Sequence, residues 1–165
     1  WMLHVTVFPH YNDNSPIYRF DIVAGAEKVS GAFHDFSNGG DAQHEMMRWF
    51  ANLVGGMDWD RRRELPDWAK QIFSNHIVAV GAVGVSELDE FIDIGLKSLS
   101  YYLENVGITQ QDVANYAMRQ NSYCRFQKMN PHTPKVLVNL GFSEYEASEF
   151  INTKLFPEIE VPATV

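Results

Sequence analysis

Five side chains in one short stretch could do acid–base or metal chemistry: His34, Asp35, Asp41, His44 and Glu45. Imidazole and carboxylate suit a divalent metal, and further carboxylates could orient the imidazoles. A metal-dependent enzyme built on His34, Asp35 and His44 is therefore one reading. The spacing weakens it. No His-Glu-x-x-His pair is present, and the neighbours His44 and Glu45 diverge by about 100° on a helix. The plainer account is a solvated helix start whose acids complement the helix dipole.

A thiol nucleophile would need Cys124 close to a histidine, with His132 nearest in sequence and Arg119, Arg125 and Lys128 available to lower its pKa. The context Ser122-Tyr123-Cys124-Arg125 matches no local thiol-enzyme signature, and a lone cysteine is usually a small core residue. Gly81-x-x-Gly84 stands where an anion cradle could form, but Glu87, Asp89 and Glu90 directly after it would repel a phosphate. No Gly-x-Ser-x-Gly elbow occurs.

Residues 113–135 hold the only basic enrichment. Arg119, Arg125, Lys128 and Lys135 are interleaved there with Tyr116, Tyr123, Phe126 and His132. Basic groups beside aromatic platforms can hold single-stranded nucleic acid. At helical spacing the same residues make a buried aromatic side and a solvated charged one. The loop Asp58-Trp59-Asp60-Arg61-Arg62-Arg63 is the feature folding explains least. A tryptophan among charges reads either as an exposed interface anchor or as a ring folded back on Trp68.

These residues need a scaffold. The chain has 165 residues, 45% hydrophobic and 21% charged, the composition of one globular domain over residues 2–165. Trp1 ahead of the initiator-like Met2 is set aside. Residues 3–8, 17–23 and 28–36 alternate in the manner of strands and are separated by turn clusters, which predicts an antiparallel meander. Residues 76–85 suit a buried strand by their β-branched run or a close-packed helix by their alanines and glycines, and the strand is preferred. Helices follow over roughly 41–156. One is capped by Asp41, one by Ser86, one by Thr109, and one carries the capping box Ser143–Glu146. The stripe Leu88, Phe91, Ile92, Gly95, Leu96, Leu99, Tyr102, Leu103 and Val106 marks the best-defined helix. Residues 158–165 read as a frayed tail. Strands first and helices after argue α+β: a three- to four-stranded, mainly antiparallel sheet packed against a predominantly helical C-terminal two-thirds.

The net charge is −8, from 13 basic and 21 acidic residues. That balance repels phosphate backbones, argues against nucleic acid and favours a basic protein partner. No apolar run reaches the ~20 residues of a membrane helix, and no signal-like start is visible, so a soluble cytoplasmic protein is expected. Together these features predict a non-enzymatic interaction module without cofactor, of the inhibitor, immunity or anti-defence kind, with homo-oligomerisation left open. Its partner surface would be Asp58, Trp59, Asp60, Arg61, Arg62, Glu87, Asp89 and Glu90. The alternatives are the metal enzyme and the single-stranded nucleic-acid binder.

Overall fold

The computed structural model describes residues 1–37, 43–107 and 113–160. The expected caps Asp41 and Thr109 lie outside these residues, as does the end of the tail. The fold is α+β, as its segregated pattern predicts. Strands β1 (Met2–Val7), β2 (Ile17–Ala24), β3 (Val29–Ser37) and β4 (Val78–Val83) form one fully antiparallel sheet in the order β1-β2-β3-β4. Trp1 belongs to it after all, because its carbonyl accepts from Ala24 N at 2.9 Å and extends the β1–β2 pairing by one residue.

Helices lie on both faces of the sheet. Side chains on β2 alternate between those faces, as strand geometry requires. Tyr18, Phe20 and Ile22 join an apolar cluster with α1 (Glu45–Val54) and α3 (Val85–Asn105). Ile17 joins a second cluster, with residues of α4 (Val113–Lys128), α5 (His132–Asn139) and α6 (Glu144–Phe150). The short α2 (Asp67–Lys70) contributes Ala69, which is buried. A turn of π-helix, Ile151–Leu155, follows α6. The predicted capping box is present: Ser143 Oγ accepts from Glu146 N at 3.2 Å, and Glu146 Oε2 accepts from Ser143 N at 2.9 Å.

Three local expectations need correcting. Helix α3 begins at Val85, so Ser86 is not its cap. Instead Glu87 Oε2 accepts from Gly84 N at 3.2 Å and Glu87 Oε1 from Asp60 N at 3.1 Å. The buried face of α3 is Phe91, Ile94, Gly95, Ser98 and Tyr102, while Leu96 is 59% exposed and Leu103 60%. Small Gly95 and Ser98 mark the packed side because the sheet comes close there: a Cβ on Gly95 would collide with the Phe20 ring. The tail is not frayed where it is described. Ile159 pairs with the Asn121 amide through two 2.8 Å hydrogen bonds, and Glu158 receives Arg125 Nε and Lys128 Nζ.

Candidate active site

Trp59 is 6% exposed and packs edge-on against Phe91, with ring centroids 6.2 Å apart. It is a core residue and not an interface anchor. The charges around it do face water: Asp58, Asp60, Arg61, Arg62, Asp89 and Glu90 are exposed and Glu87 half-buried. Burying the ring while the flanking charges stay solvated is what a loop folded onto α3 achieves.

The metal reading fails on geometry. His34 and Asp35 are neighbours on β3, so their side chains leave opposite faces of the sheet. His34 Nδ1 donates to the Arg19 carbonyl at 2.6 Å, which leaves Nε2 to accept from Ser98 Oγ at 2.5 Å. Burial pushes its pKa down to about 4, so the ring is neutral and fully engaged at pH 7. Asp35 is saturated by Ser74 N, Ser74 Oγ and Ser37 Oγ. His44 caps α1, with Nδ1 accepting from Met46 N. Among the described residues no group of three or more His, Cys, Asp or Glu could hold a metal.

The nucleic-acid reading fails too. Tyr116 and Tyr123 are buried, so they offer no stacking platform, and Arg125 and Lys128 are paired with Glu158. Cys124 is a buried core thiol pushed up to about 12 by burial.

The unusual chemistry sits elsewhere, on the sheet face that meets α4. Arg19 and Asp21 project there from the centre of β2, 7% and 4% exposed. Arg19 Nε and Nη2 both donate to Asp21 Oδ2, and Nη1 donates to Tyr123 Oη at 3.3 Å. Gln127 Nε2 donates to the same phenol oxygen at 2.9 Å. His4, opposite Asp21 in the β1–β2 register, brings Nδ1 to 2.5 Å from Asp21 Oδ1. The Phe73 ring lies over the guanidinium at 5.0 Å, and Phe156 meets the His4 ring edge-on. Burial alone would push the Asp21 carboxyl up, but the Arg19 and His4 charges beside it hold it below the usual carboxylate range. One acceptor of this region, Gln127 Oε1, is buried without a hydrogen-bond partner among the described residues. Such a cluster costs desolvation that a hydrophobic packing would avoid, which points to function.

Two surface cavities lie away from it. One of about 670 Å³ lies between α5 and α6, beside Lys128 and Lys135, and one of about 280 Å³ is lined by Trp59, Arg62, Arg63 and His76. Neither is lined by His4, Arg19 or Asp21.

A family model described as ferredoxin-dependent bilin reductase matches residues 2–157. The chain belongs to this family. It is 31% identical over 164 residues to the phycocyanobilin:ferredoxin oxidoreductase of Gloeobacter violaceus, covering 94% of this chain and 63% of that one. It is 29% identical to the enzyme of the same name from Prochlorococcus marinus, covering 94% of this chain and 64% of that one. The chain thus spans under two-thirds of these relatives' length. The solved structure of PcyX superposes with a TM-score of 0.66 at 26% identity, covering 97% of this chain and 67% of that one. A phytochromobilin synthase from tomato, solved with biliverdin, shares the fold at a TM-score of 0.70 and 17% identity, covering 94% and 59%.

Membership in a family of bilin reductases overturns the expected non-enzymatic inhibitor or immunity protein, its basic protein partner, and both alternatives. The His4–Asp21–Arg19 cluster escaped the sequence reading, although Arg19 and Asp21 stood out as charges inside an apolar alternation. What alternation along β2 does not reveal is that β2 is covered on both faces, which converts its outward charges into buried ones. Among the described residues no helix is long and apolar enough to cross a membrane.

Proposed function

We propose that the protein reduces a bilin, an open-chain tetrapyrrole, with electrons from ferredoxin, at the sheet face that carries His4, Arg19 and Asp21. The observation that carries this reading is the His4–Asp21 pair, a buried carboxylate against a half-buried imidazole. Saturating one double bond takes two electrons and two protons. A one-electron donor supplies the electrons singly, so the protein must hold protons beside the substrate. An imidazole in contact with a carboxylate is suited to that task. The pyrrole N–H groups of a bilin are donors, and Gln127 Oε1 is a buried acceptor without an aligned partner among the described residues. Residues 2–165 act as one domain in this reading, supported by the two apolar clusters that share one sheet. A cytoplasmic setting belongs to the same proposal, since reduced ferredoxin is an intracellular carrier.

Biliverdin and reduced ferredoxin make the test. The protein should bind biliverdin with a change in its absorption spectrum and reduce it under anaerobic conditions. Asp21→Asn and His4→Gln should keep the binding and slow reduction by about 10²–10⁴-fold, the range of general acid–base catalysis. Full reduction rates in both variants would move the proton donors elsewhere, and no biliverdin binding by the unmodified protein would refute the activity. The exposed charges Asp58, Asp60, Arg61, Arg62, Asp89 and Glu90, with half-buried Glu87, are retained as proposed contacts for the electron donor. Reversing Arg61 and Arg62 should then slow electron delivery at low salt, and the effect should fade at high salt.

A further inference from the structure

We propose that Arg19 is a positioning residue of this site, clamping one oxygen of Asp21 so that the other is presented to His4. The inference rests on the bilin-reductase reading for its purpose, but its geometry stands alone. Arg19 has two carboxylates within reach on its own sheet face: Asp21, two residues along β2, and Asp35, directly across on β3. Asp35 is already satisfied by three donors from Ser37 and Ser74. The guanidinium is therefore left for Asp21, and it takes Oδ2 with both Nε and Nη2. Two donors converging on one oxygen fix the place of Oδ2 and leave Oδ1 outside the guanidinium's reach. Oδ1 is then turned to His4 Nδ1. Tyr123 Oη and the face of Phe73 hold the guanidinium from the far side.

The two aspartates diverge as this division requires. Burial leads the shift at Asp35 and pushes its carboxyl up, with the Ser74 and Ser37 donors opposing. At Asp21 the push of burial is outweighed by Arg19 first and His4 next. The groups facing Asp21 and Arg19 are His4 from β1, Asp35 from β3 and Tyr123 from α4, with Gln127 behind the phenol. Arg19 is thus the one permanent positive charge in the cluster, and removing it should raise the Asp21 midpoint.

The experiment follows the carboxyl carbon of Asp21 by NMR across a pH titration of substrate-free protein, alongside the pH profile of biliverdin reduction. Arg19→Gln should raise the Asp21 midpoint by about one unit or more, the usual effect of an adjacent arginine. Arg19→Lys keeps the charge but not the fork, and should fall between the two. The pH profile should shift in the same order. A midpoint unchanged in Arg19→Gln would overturn the proposal. If that variant does not fold, Arg19→Lys decides: a rise supports the clamp, and the unmodified midpoint refutes it. Failure of the activity reading would show separately, as no biliverdin reduction by the unmodified protein, while the NMR titration still judges Arg19.

Discussion

The two faces of the sheet carry different burdens. On the side of α1 and α3, aromatic rings fill the space: Phe36 stacks on Phe50 at 4.7 Å, and Phe20 lies 4.8 Å from Phe91. The imidazole among them, His34, is neutral and satisfied by a carbonyl and a hydroxyl. On the side of α4 the same strands present His4, Arg19, Asp21 and Asp35. Each face has a histidine, His34 buried and His4 half-buried, but only His4 touches a carboxylate. The first face maximises apolar burial and removes charge, while the second spends burial on keeping charge. One sheet can therefore separate stability from chemistry by the alternation of its side chains.

The strongest way to break that division is to cut into the aromatic face. Phe36→Ala should cost about 3–5 kcal/mol, the usual penalty for a buried phenylalanine, measured by urea unfolding. The fraction still folded should reduce biliverdin at the unmodified rate. If stability were kept and turnover lost, the two faces would not be separate in function.

Acid tests the face more gently. The folded pKa of His34 is about 4, below the ordinary value of 6.5, so the unfolded chain binds more protons between those values. The stability contributed by neutral His34 is complete above pH 6.5 and is lost as pH falls towards 4, about 3 kcal/mol in all. Asp21, held low, adds a loss further into acid. Urea curves at pH 7 and pH 4.5 should differ accordingly, and His34→Gln should flatten the difference. Asp35, pushed up by burial, gains stability as pH falls and opposes this loss. An identical pH dependence in the unmodified protein and in His34→Gln is therefore the result that would show His34 protonated in the fold.

The smallest effect sharpens the boundary of the apolar face. Leu96 lies on the outer side of α3, so Leu96→Asp should shift stability by about 0.5 kcal/mol or less. Unfolding by that substitution would mean that α3 packs through the opposite side.

Much of the architecture was legible in the residues. Alternation gave the strands, the Ser143–Glu146 pair gave a helix start, and segregation gave the α+β class. Hydrophobicity alone places the leucines of α3 inside, whereas the sheet approaches its middle so closely that small Gly95 and Ser98 mark the packed side between Phe91 and Tyr102. Trp59 was ambiguous for a related reason: its neighbours are charged, and a chain pattern does not reveal which helix a ring folds onto. The site itself was invisible for lack of topology. His4 and Asp21 are seventeen residues apart in sequence, and only the β1–β2 register makes them partners.

The tail has a consequence for motion. Asn121 offers Ile159 both a donor and an acceptor, the pair of bonds that a neighbouring strand residue would give. A segment held in that way has register. Sliding it by one residue would take the Pro157 carbonyl from Cys124 Sγ and Glu158 from its two cations together. The helix that carries Tyr123 and Gln127 is thus latched along another side by residues far downstream. Hydrogen exchange at its middle amides should track release of the latch, and not fraying from the helix ends.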